Sequence, residues 1–248
     1  ATQKKVSAVM LTAHALSREG IFQPYEPAGY QNLPDAYKAE DASWVGLTHR
    51  MRVIMYNKDL VSPDELPDSM FDLTDPKWKG QIAAAGSTNA SMQAQIASMI
   101  QLVGQEQTQA WLNGLLENEV TFFGGHSDVR KAVGAGEFKL GLVNHYYYYL
   151  QLAEGNNVGI VYPDQATTEM GIISNATTAA IIQGSRNPDA AKAFLDFLVS
   201  AEGQKIFAEG NYEYPLLLGI ALHPDLVSTN GLKMANIELA QVLNHFDA

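Results

Sequence analysis

The stretch GLVNHYYYYLQ, residues 141–151, places four consecutive tyrosines directly after an asparagine and a histidine. A strand core prefers Val and Ile, and in a strand only every second side chain faces the same side. We predict a strand that runs from residue 138 through Tyr149. In one interpretation, two rings pack inward at the strand end while two keep their hydroxyls in water. In the other, some of the phenol oxygens bind a ligand, and composition alone favours neither.

The composition restricts the kind of protein that carries this stretch. The chain has 248 residues, 46% hydrophobic and 17% charged, which suits one large domain or two smaller ones. A formal net charge of −11 disfavours nucleic acid and anionic lipid as partners. The chain has no cysteine, which excludes thiolate metal ligands and Cys nucleophiles and weakly favours an exported protein. No signal peptide is visible at ATQKK, which fits a mature exported form as well as a cytosolic protein.

Short apolar segments alternate with helical patterns along the chain. The predicted strands include residues 53–55, Ile82–Ala85, 119–125 and 138–149. The predicted helices include residues 126–137, 187–210 and 231–246. Ser127 is the candidate N-cap of the first of these helices, and Asn187 that of the second. Strands that alternate with helices predict an α/β fold.

Common catalytic motifs are missing from the sequence. It contains no P-loop, no G-x-S-x-G elbow and no G-x-G-x-x-G fingerprint. The six histidines form no i, i+4 pair, so no zinc site on a single helix is predicted. Carboxylates are scattered, and no pair stands out as a general acid and base.

The segment GSTNAS, residues 86–91, follows a predicted strand and opens a predicted helix. Backbone N–H groups at such a helix N-terminus converge on one point and favour an anion. The candidate anion-binding residues are Ser87, Thr88, Asn89 and Ala90. Ordinary N-capping by the same polar residues is the alternative.

The segment HRMR, residues 49–52, adds two cations on one face of a predicted strand. The guanidinium of Arg50 or Arg52 can hold a small oxyanion through two parallel hydrogen bonds. The alternative is a solvated strand edge.

Three segments in this order resemble periplasmic ferric-ion-binding proteins, the substrate-binding subunits of iron(III) ABC importers. They are WVGLTHRMRVIMYNKDL, GEFKLGLVNHYYYY and NPDAAKAFLDFLVSAEGQKIFAEGNYEYPL. The resemblance extends from about residue 6 to residue 226. It implies a type II periplasmic binding protein: two transferrin-like α/β lobes with a hinge that closes on the ligand. It also implies a periplasmic monomer that is not an enzyme and that meets an ABC permease in the inner membrane.

The resemblance assigns the ferric ligands to Tyr146 and Tyr147, with a one-residue uncertainty in register toward Tyr148 and Tyr149. Phenol chemistry agrees with this assignment. A free phenol has a pKa of about 10, so only a highly charged cation makes it an anionic ligand at neutral pH. Phenolate is a hard oxygen donor, which suits Fe(III).

The resemblance also implies a synergistic anion, carbonate or phosphate, at the helix N-terminus of residues 87–90. Asn144 matches a polar residue that lines the anion site, and His126 or Ser127 does so less closely. The arginine strand of the family corresponds to HRMRV, which contains Arg50 and Arg52.

The N-terminal part departs from the family pattern, because members carry a further segment before the part that matches residue 6. His14, or Ala13 in another alignment, lies where some members place a residue near the metal. We therefore expect either a fragment, an incomplete N-terminal lobe or a replaced segment. The expected divisions are residues 1–85 for a partial N-terminal lobe and hinge strand, 86–185 for the tyrosine-bearing lobe, and 186–248 for the return to the first lobe and the C-terminal helices.

Two other functions remain open from the sequence. One is a binding protein for a small organic or phosphorylated anion that uses the same helix N-terminus and arginines without a metal. The other is a hydrolase that uses scattered carboxylates and His145. A visible phenolate-to-iron charge-transfer band distinguishes ferric binding from both.

Overall fold

The computed structural model describes residues 7–238 and 241–242, with the backbone alone for residues 7–9. The strands are β1 (Ser7–Val9), β2 (Phe22–Gln23), β3 (Val45–Asn57), β4 (Ile82–Ala85), β5 (Thr121–Phe123), β6 (Leu140–Asn144), β7 (Val158–Val161), β8 (Ser174–Ala179), β9 (Ile181–Ile182) and β10 (Tyr214–Pro215). The helices are α1 (Met10–Arg18), α2 (Ala90–Val103), α3 (Gln105–Glu117), α4 (His126–Gly134), α5 (His145–Ala153), α6 (Pro188–Val199) and α7 (Ala201–Asn211). Short 3₁₀ helices cover Tyr30–Asn32, Asp35–Tyr37, Pro63–Glu65, Met70–Thr74 and Pro76–Trp78.

The chain divides into two compact units. The first contains the described residues up to Arg50 together with Asn175–Leu226. The second contains Met51–Ser174 and the described residues from Val227 onward. These limits differ from the expected divisions at residues 85 and 185, because residues 51–57 pair with β6 and β4 pairs with β6 in the same sheet.

The first unit contains three antiparallel strand pairs. In it β1 pairs with β8, the first half of β3 pairs with β10, and β2 pairs with β9. Its core collects side chains from β3, β9, α6, the 3₁₀ helix that begins at Tyr30 and adjoining residues: Tyr30, Leu33, Val45, Leu47, Ile181, Leu195, Val199 and Leu216.

The second unit is an α/β layer structure, as the alternation of elements predicts. Its strands follow the order β7-β3-β6-β4-β5. The β6-β4-β5 part is parallel, while β3 pairs antiparallel with both β6 and β7. The helices α2 and α3 connect β4 to β5, and α4 connects β5 to β6. The side chains of β4 and β6 are buried throughout, as is typical of a sheet covered on both faces.

Close packing of α4 on β6 depends on Gly141. A Cβ atom there would lie 2.8 Å from Cγ2 of Val133 and 3.1 Å from Cγ1 of Val129. Only glycine permits this approach without a shift of the helix. The helix α4, which begins at His126, is thereby held against the strand β6, which ends at Asn144.

The predicted strand through Tyr149 is wrong beyond Asn144. The strand β6 ends there, and α5 begins at the next residue, His145. In the helix the buried positions His145, Tyr146 and Tyr149 follow i, i+1, i+4 spacing, which a strand cannot place on one face. The four tyrosines therefore fill one helical turn.

Three smaller predictions also need correction. Ser127 lies inside α4, and Gly125 is the N-cap. The predicted helix 187–210 is two helices, since Ser200 ends α6 and caps α7 with its side chain. Residues 231–238 of the predicted C-terminal helix are not helical, because Met234 forms a bridge with Ile172; residues 239–240 and 243–246 lie outside the described part. No helix within the described residues is long and apolar enough to cross a membrane.

The buried carboxyl of Asp164 makes stability depend on pH. Burial raises its pKa from 3.8 to about 6, although hydrogen bonds from Ser69 Oγ and the Met70 N–H oppose that rise. Between these two pKa values the folded state binds more protons than the unfolded state, so the free energy of unfolding falls as pH rises through this window. Asparagine does not ionise, so the free energy of unfolding of Asp164→Asn should not fall in this window. Relative to the parent, it should rise by roughly 1–3 kcal/mol between pH 4 and pH 7. Asparagine also tolerates the positive φ of 62° at this position.

Urea denaturation at several pH values measures this difference. Asp68→Asn, whose side chain is exposed in the same unit, is the control and should follow the parent. Parallel curves for Asp164→Asn and the parent across the window would contradict the assignment.

The ammonium of Lys233 joins the tail of the second unit to the loop after β7. It donates to the carbonyl oxygens of Ala166 and Thr167 at 2.8 Å each, and also to that of Glu169. We expect Lys233→Met to lower the free energy of unfolding by about 1–2 kcal/mol, because three carbonyls lose a charged donor. Lys79→Met, which removes only an exposed ion pair with Glu119, should change it by less than about 0.5 kcal/mol. Equal losses in thermal unfolding of the two variants would show that Lys233 has no special role.

Candidate functional site

The tyrosine cluster lies in the first turn of α5, at the point where β6 ends. Tyr146 is 8% exposed and Tyr149 is 3% exposed, whereas Tyr147 and Tyr148 are half-buried. The ring centroids of Tyr146 and Tyr147 lie 4.3 Å apart with an interplanar angle of 34°. Two phenols therefore lie side by side, one of them accessible in part to solvent.

The phenol of Tyr149 is held by the protein itself. Its Oη lies 3.1 Å from Oη of Tyr162 and accepts a hydrogen bond from the N–H of Val227 at 3.3 Å. A hydroxyl that bridges two protein groups in a buried position serves packing. The geometry thus favours Tyr149 as a packing residue. Tyr146, Tyr147 and Tyr148 remain as ligand candidates, and the resemblance assigns the ligands to the first two.

Arg52 connects three elements around the tyrosines. The residue is 2% exposed. Its Nε donates to Oε1 of Gln95 on α2 at 2.8 Å, and its Nη1 donates to Oδ1 of Asn144 at 2.9 Å. The same Nη1 lies 2.9 Å from Nε2 of His126 on α4. The guanidinium is therefore oriented from several sides, and the interpretation of this position as a solvated strand edge is wrong.

The contact with Arg52 determines the tautomer of His126. A guanidinium can only donate, so Nε2 of His126 accepts, and the neutral ring carries its proton on Nδ1. The ring is 3% exposed, and its centroid lies 5.4 Å from that of Tyr147. His126 thus flanks Tyr147 as a neutral imidazole with a fixed orientation.

The N-terminus of α2 is capped by its own sequence. Oδ1 of Asn89 accepts from the N–H of Ser91 at 3.0 Å and of Met92 at 3.3 Å. Ordinary N-capping is therefore what Asn89 does, and two N–H groups that an anion could use are already engaged. Ser87 and Thr88 are exposed, while Ala90 is half-buried as the first helical residue.

The first turn of α2 and Arg52 meet at Asn144. Nδ2 of Asn144 donates to Oγ of Ser91 at 3.4 Å, while its Oδ1 accepts from Arg52. Two anion-binding candidates that the sequence treats separately, the helix start and the arginine strand, are therefore neighbours. A positive helix end beside a guanidinium favours a small anion there.

Two predicted site residues belong to the first unit. Arg50 donates weakly from Nη2 to the carbonyl of Ala176 at 3.5 Å. The ring of His14 packs edge-on against Trp44, with centroids 6.3 Å apart. Burial, followed by the charge of Arg18, lowers the pKa of His14, which keeps the imidazole neutral and able to bind a metal. The roles of both residues stay predictions.

Within residues 7–238 and 241–242, no three His, Asp or Glu side chains are grouped so that they could hold a metal ion. His145, on which the hydrolase alternative depends, is fully buried, and its Nδ1 accepts from the N–H of Met51 at 3.1 Å. This imidazole is not available to a substrate.

Sequence reasoning missed the polar residues that orient the site. Gln95 lies one turn inside α2 and looks like an ordinary helix residue, while Tyr162 follows β7. Their partners are 43 and 13 residues away along the chain. A glutamine on the buried face of a helix is the one signal that the sequence offers, since a buried amide needs a partner.

The chain is similar to bacterial solute-binding proteins over most of its length. Residues 12–237 match the family described as bacterial extracellular solute-binding protein. The chain is 36% identical over 225 residues to iron uptake protein A1 of Synechocystis sp., covering 87% of this chain and 62% of that protein. It is 30% identical over 227 residues to the Fe(3+)-binding periplasmic protein of Serratia marcescens, covering 90% and 66%. The chain thus spans less than two thirds of the length of these relatives.

A solved relative has the same fold. The structure of iron-bound HitA from Pseudomonas aeruginosa superposes with a TM-score of 0.86 at 28% identity, covering 96% of this chain and 78% of that one. The predicted fold class is thereby confirmed. Because the family match takes in most of the chain, the chain belongs to the bacterial extracellular solute-binding proteins and has the type II periplasmic-binding-protein fold.

Proposed function

We propose that this chain binds ferric iron as the substrate of an ABC importer, through the phenolates of Tyr146 and Tyr147 together with a synergistic anion. The observation that carries the proposal is the pair of adjacent rings, with centroids 4.3 Å apart, which His126 connects to the buried guanidinium of Arg52. The names of the relatives, an iron uptake protein and a Fe(3+)-binding periplasmic protein, support it.

Charge balance explains why this arrangement suits a trivalent ion. Two adjacent phenolates repel each other, so a strong Lewis acid between them is needed to displace both protons. Phenolate oxygen is hard and prefers Fe(III) to soft metals. A divalent ion offers less compensation, and we expect the site to bind it far more weakly.

The proposed anion site lies between the N-terminus of α2 and the guanidinium of Arg52. Because the side chain of Asn89 already uses two N–H groups of the helix, more of the anion's binding falls to the guanidinium. Asn144 contacts both Arg52 and Ser91 of the helix start. Ser87, Thr88 and Ala90 are kept as further candidates for the anion site, because they directly precede or begin α2. Carbonate and phosphate both fit these donors.

The partner that follows from this function is an ABC permease in the inner membrane, and the compartment is the periplasm. A binding protein of this family presents its loaded form to the permease and catalyses no reaction. We propose that the chain acts as a monomer in this role.

A second candidate is a binding protein for a phosphorylated or organic anion without a metal. Arg52 beside a helix N-terminus favours it, since these groups need no metal to hold an anion. Calorimetric titration with phosphate in the presence of a strong chelator distinguishes the two. Tight binding of phosphate without iron would favour this candidate.

Removal of single phenol oxygens tests the ligand pair. We expect Tyr146→Phe and Tyr147→Phe each to abolish or strongly weaken ferric binding and to remove or shift the visible charge-transfer band. The rings stay, so the free energy of unfolding should fall by no more than about 1–2 kcal/mol. Tyr148→Phe, in the same helical turn, is the matched control and should keep the band. If both ligand variants keep the parent spectrum, or only Tyr148→Phe loses it, the pair is assigned wrongly.

Two arginine variants test the anion site. We expect Arg52→Gln to bind Fe(III) weakly and with little dependence on added carbonate or phosphate, because the anion loses its charged partner. Arg50→Gln should keep the dependence. Asn89→Ala should lower the free energy of unfolding by about 1 kcal/mol through loss of the cap but leave anion dependence intact.

Titration of Fe(III) from a weak chelate, with and without each anion, measures both effects. If Fe(III) binding depends fully on the added anion in Arg52→Gln but not in Arg50→Gln, the anion is bound by Arg50 instead of Arg52.

A further inference from the structure

The antiparallel ladder between β3 and β6 ends one residue before the tyrosine helix. Its last pair is Arg52 with Asn144. Continued by one step, the register would pair Met51 with His145. In an antiparallel ladder alternate N–H groups face the same neighbour, and the N–H of Asn57 bonds to Lys139 on the β6 side at 3.0 Å. The N–H of Met51 therefore also faces β6.

At Met51 the expected backbone acceptor is missing, because the chain has turned into α5. Instead, Nδ1 of His145 accepts the Met51 N–H at 3.1 Å. Both residues are fully buried, so without His145 this N–H could not bond to bulk water and would be an unsatisfied buried donor. The imidazole thus takes the place of the next ladder carbonyl.

The direction of this bond assigns the tautomer of His145. An amide N–H can only donate, so Nδ1 carries a lone pair, and Nε2 carries the proton of the neutral ring. The N-cap residue of α5, Asn144, makes no capping hydrogen bond with its side chain, which bonds to Arg52 and Ser91 instead. The N-cap side chain therefore does not fix the start of this helix.

The same imidazole touches two tyrosine rings. It meets Tyr146 edge-on with centroids 5.9 Å apart at 87°, and Tyr149 at 6.3 Å and 76°. On the other side of the pair, His126 flanks Tyr147. Tyr146 and Tyr147 are therefore bracketed by two histidines, and adjacent residues of β3, Met51 and Arg52, hold those histidines.

We infer that His145 is a positioning residue: as an Nε2–H tautomer bonded to the Met51 N–H, it fixes the first turn of α5 and the ring of Tyr146, and so sets the geometry of the metal-binding pair. This inference rests on the proposed ferric function. It assigns a role to a residue outside the proposed metal and anion ligands.

Three variants separate the acceptor from the ring and from general stability. His145→Asn keeps an acceptor oxygen near the Nδ1 position, whereas His145→Leu keeps bulk without an acceptor. Gln151→Leu is the matched control, because it removes a buried polar side chain and its hydrogen bond with Arg130 from the same helix but leaves the bond between Met51 and His145 in place. If His145→Leu does not fold, His145→Gln, which moves the oxygen toward the Nε2 position, replaces it.

In the ferric-loaded protein we expect His145→Leu to release iron to a chelator on the order of tenfold faster and to shift the charge-transfer maximum. His145→Asn should stay close to the parent in both, and Gln151→Leu should lower stability without moving the band. An unchanged band and rate in His145→Leu, equal losses in the Asn and Leu variants, or a band shift in Gln151→Leu would overturn the inference.

Measurements on metal-free protein keep this test separate from the ferric function. Nitrogen-15 NMR of the parent should show a pyridine-type Nδ1 and a pyrrole-type Nε2 at His145, and the Tyr146 ring should flip more slowly than in His145→Leu. A proton on Nδ1, or equal flip rates, would overturn the inference. If the parent passes these tests but binds no Fe(III), the ferric function fails and the positioning of Tyr146 by His145 stands.

Discussion

The buried guanidinium of Arg52 donates a hydrogen bond to Asn144, the last residue of β6, directly before the tyrosine helix begins. A buried guanidinium is costly unless its donors are satisfied, so Arg52 also draws in Gln95 from α2 and His126 from α4. Three elements that are distant in sequence thereby converge on the last residue of β6. The accessible phenol of Tyr147 and the start of α2 lie next to this centre because they are attached to the elements it holds.

The α/β class and the strand Ile82–Ala85 could be predicted from the sequence, because each depends on local composition and alternation. The tyrosine run could not be placed correctly by the same means. Aromatic residues favour strands, and nothing local to residues 145–149 marks the end of the ladder. At this end β6 and α5 are bonded to residues of β3: Arg52, which lies 92 residues before Asn144, and its neighbour Met51, which bonds to His145. Tertiary contacts here override propensity, and they put Tyr146 and Tyr149 on the inner face of a helix.

The candidate site was predictable to a similar extent. Residue types made the phenols, the arginines and the polar helix start candidates, but composition alone favoured neither packing nor binding by the phenols, and the resemblance supplied the ligand pair. The roles of the two asparagines were not predictable. The side-chain oxygen of Asn89 accepts hydrogen bonds from its own helix, whereas Asn144 joins that helix to Arg52. The tautomers of His126 and His145 follow only from which donors face them, and those donors come from β3.

The central claim is that Tyr146 and Tyr147 bind the ferric ion directly. Anomalous diffraction at the iron absorption edge, on crystals of the ferric-loaded protein, tests it most directly. The account predicts one strong anomalous peak within bonding distance of both phenol oxygens, with density for a small anion on the side of Arg52. A peak coordinated by carboxylates or by other tyrosines, with these two oxygens unbound, would contradict it.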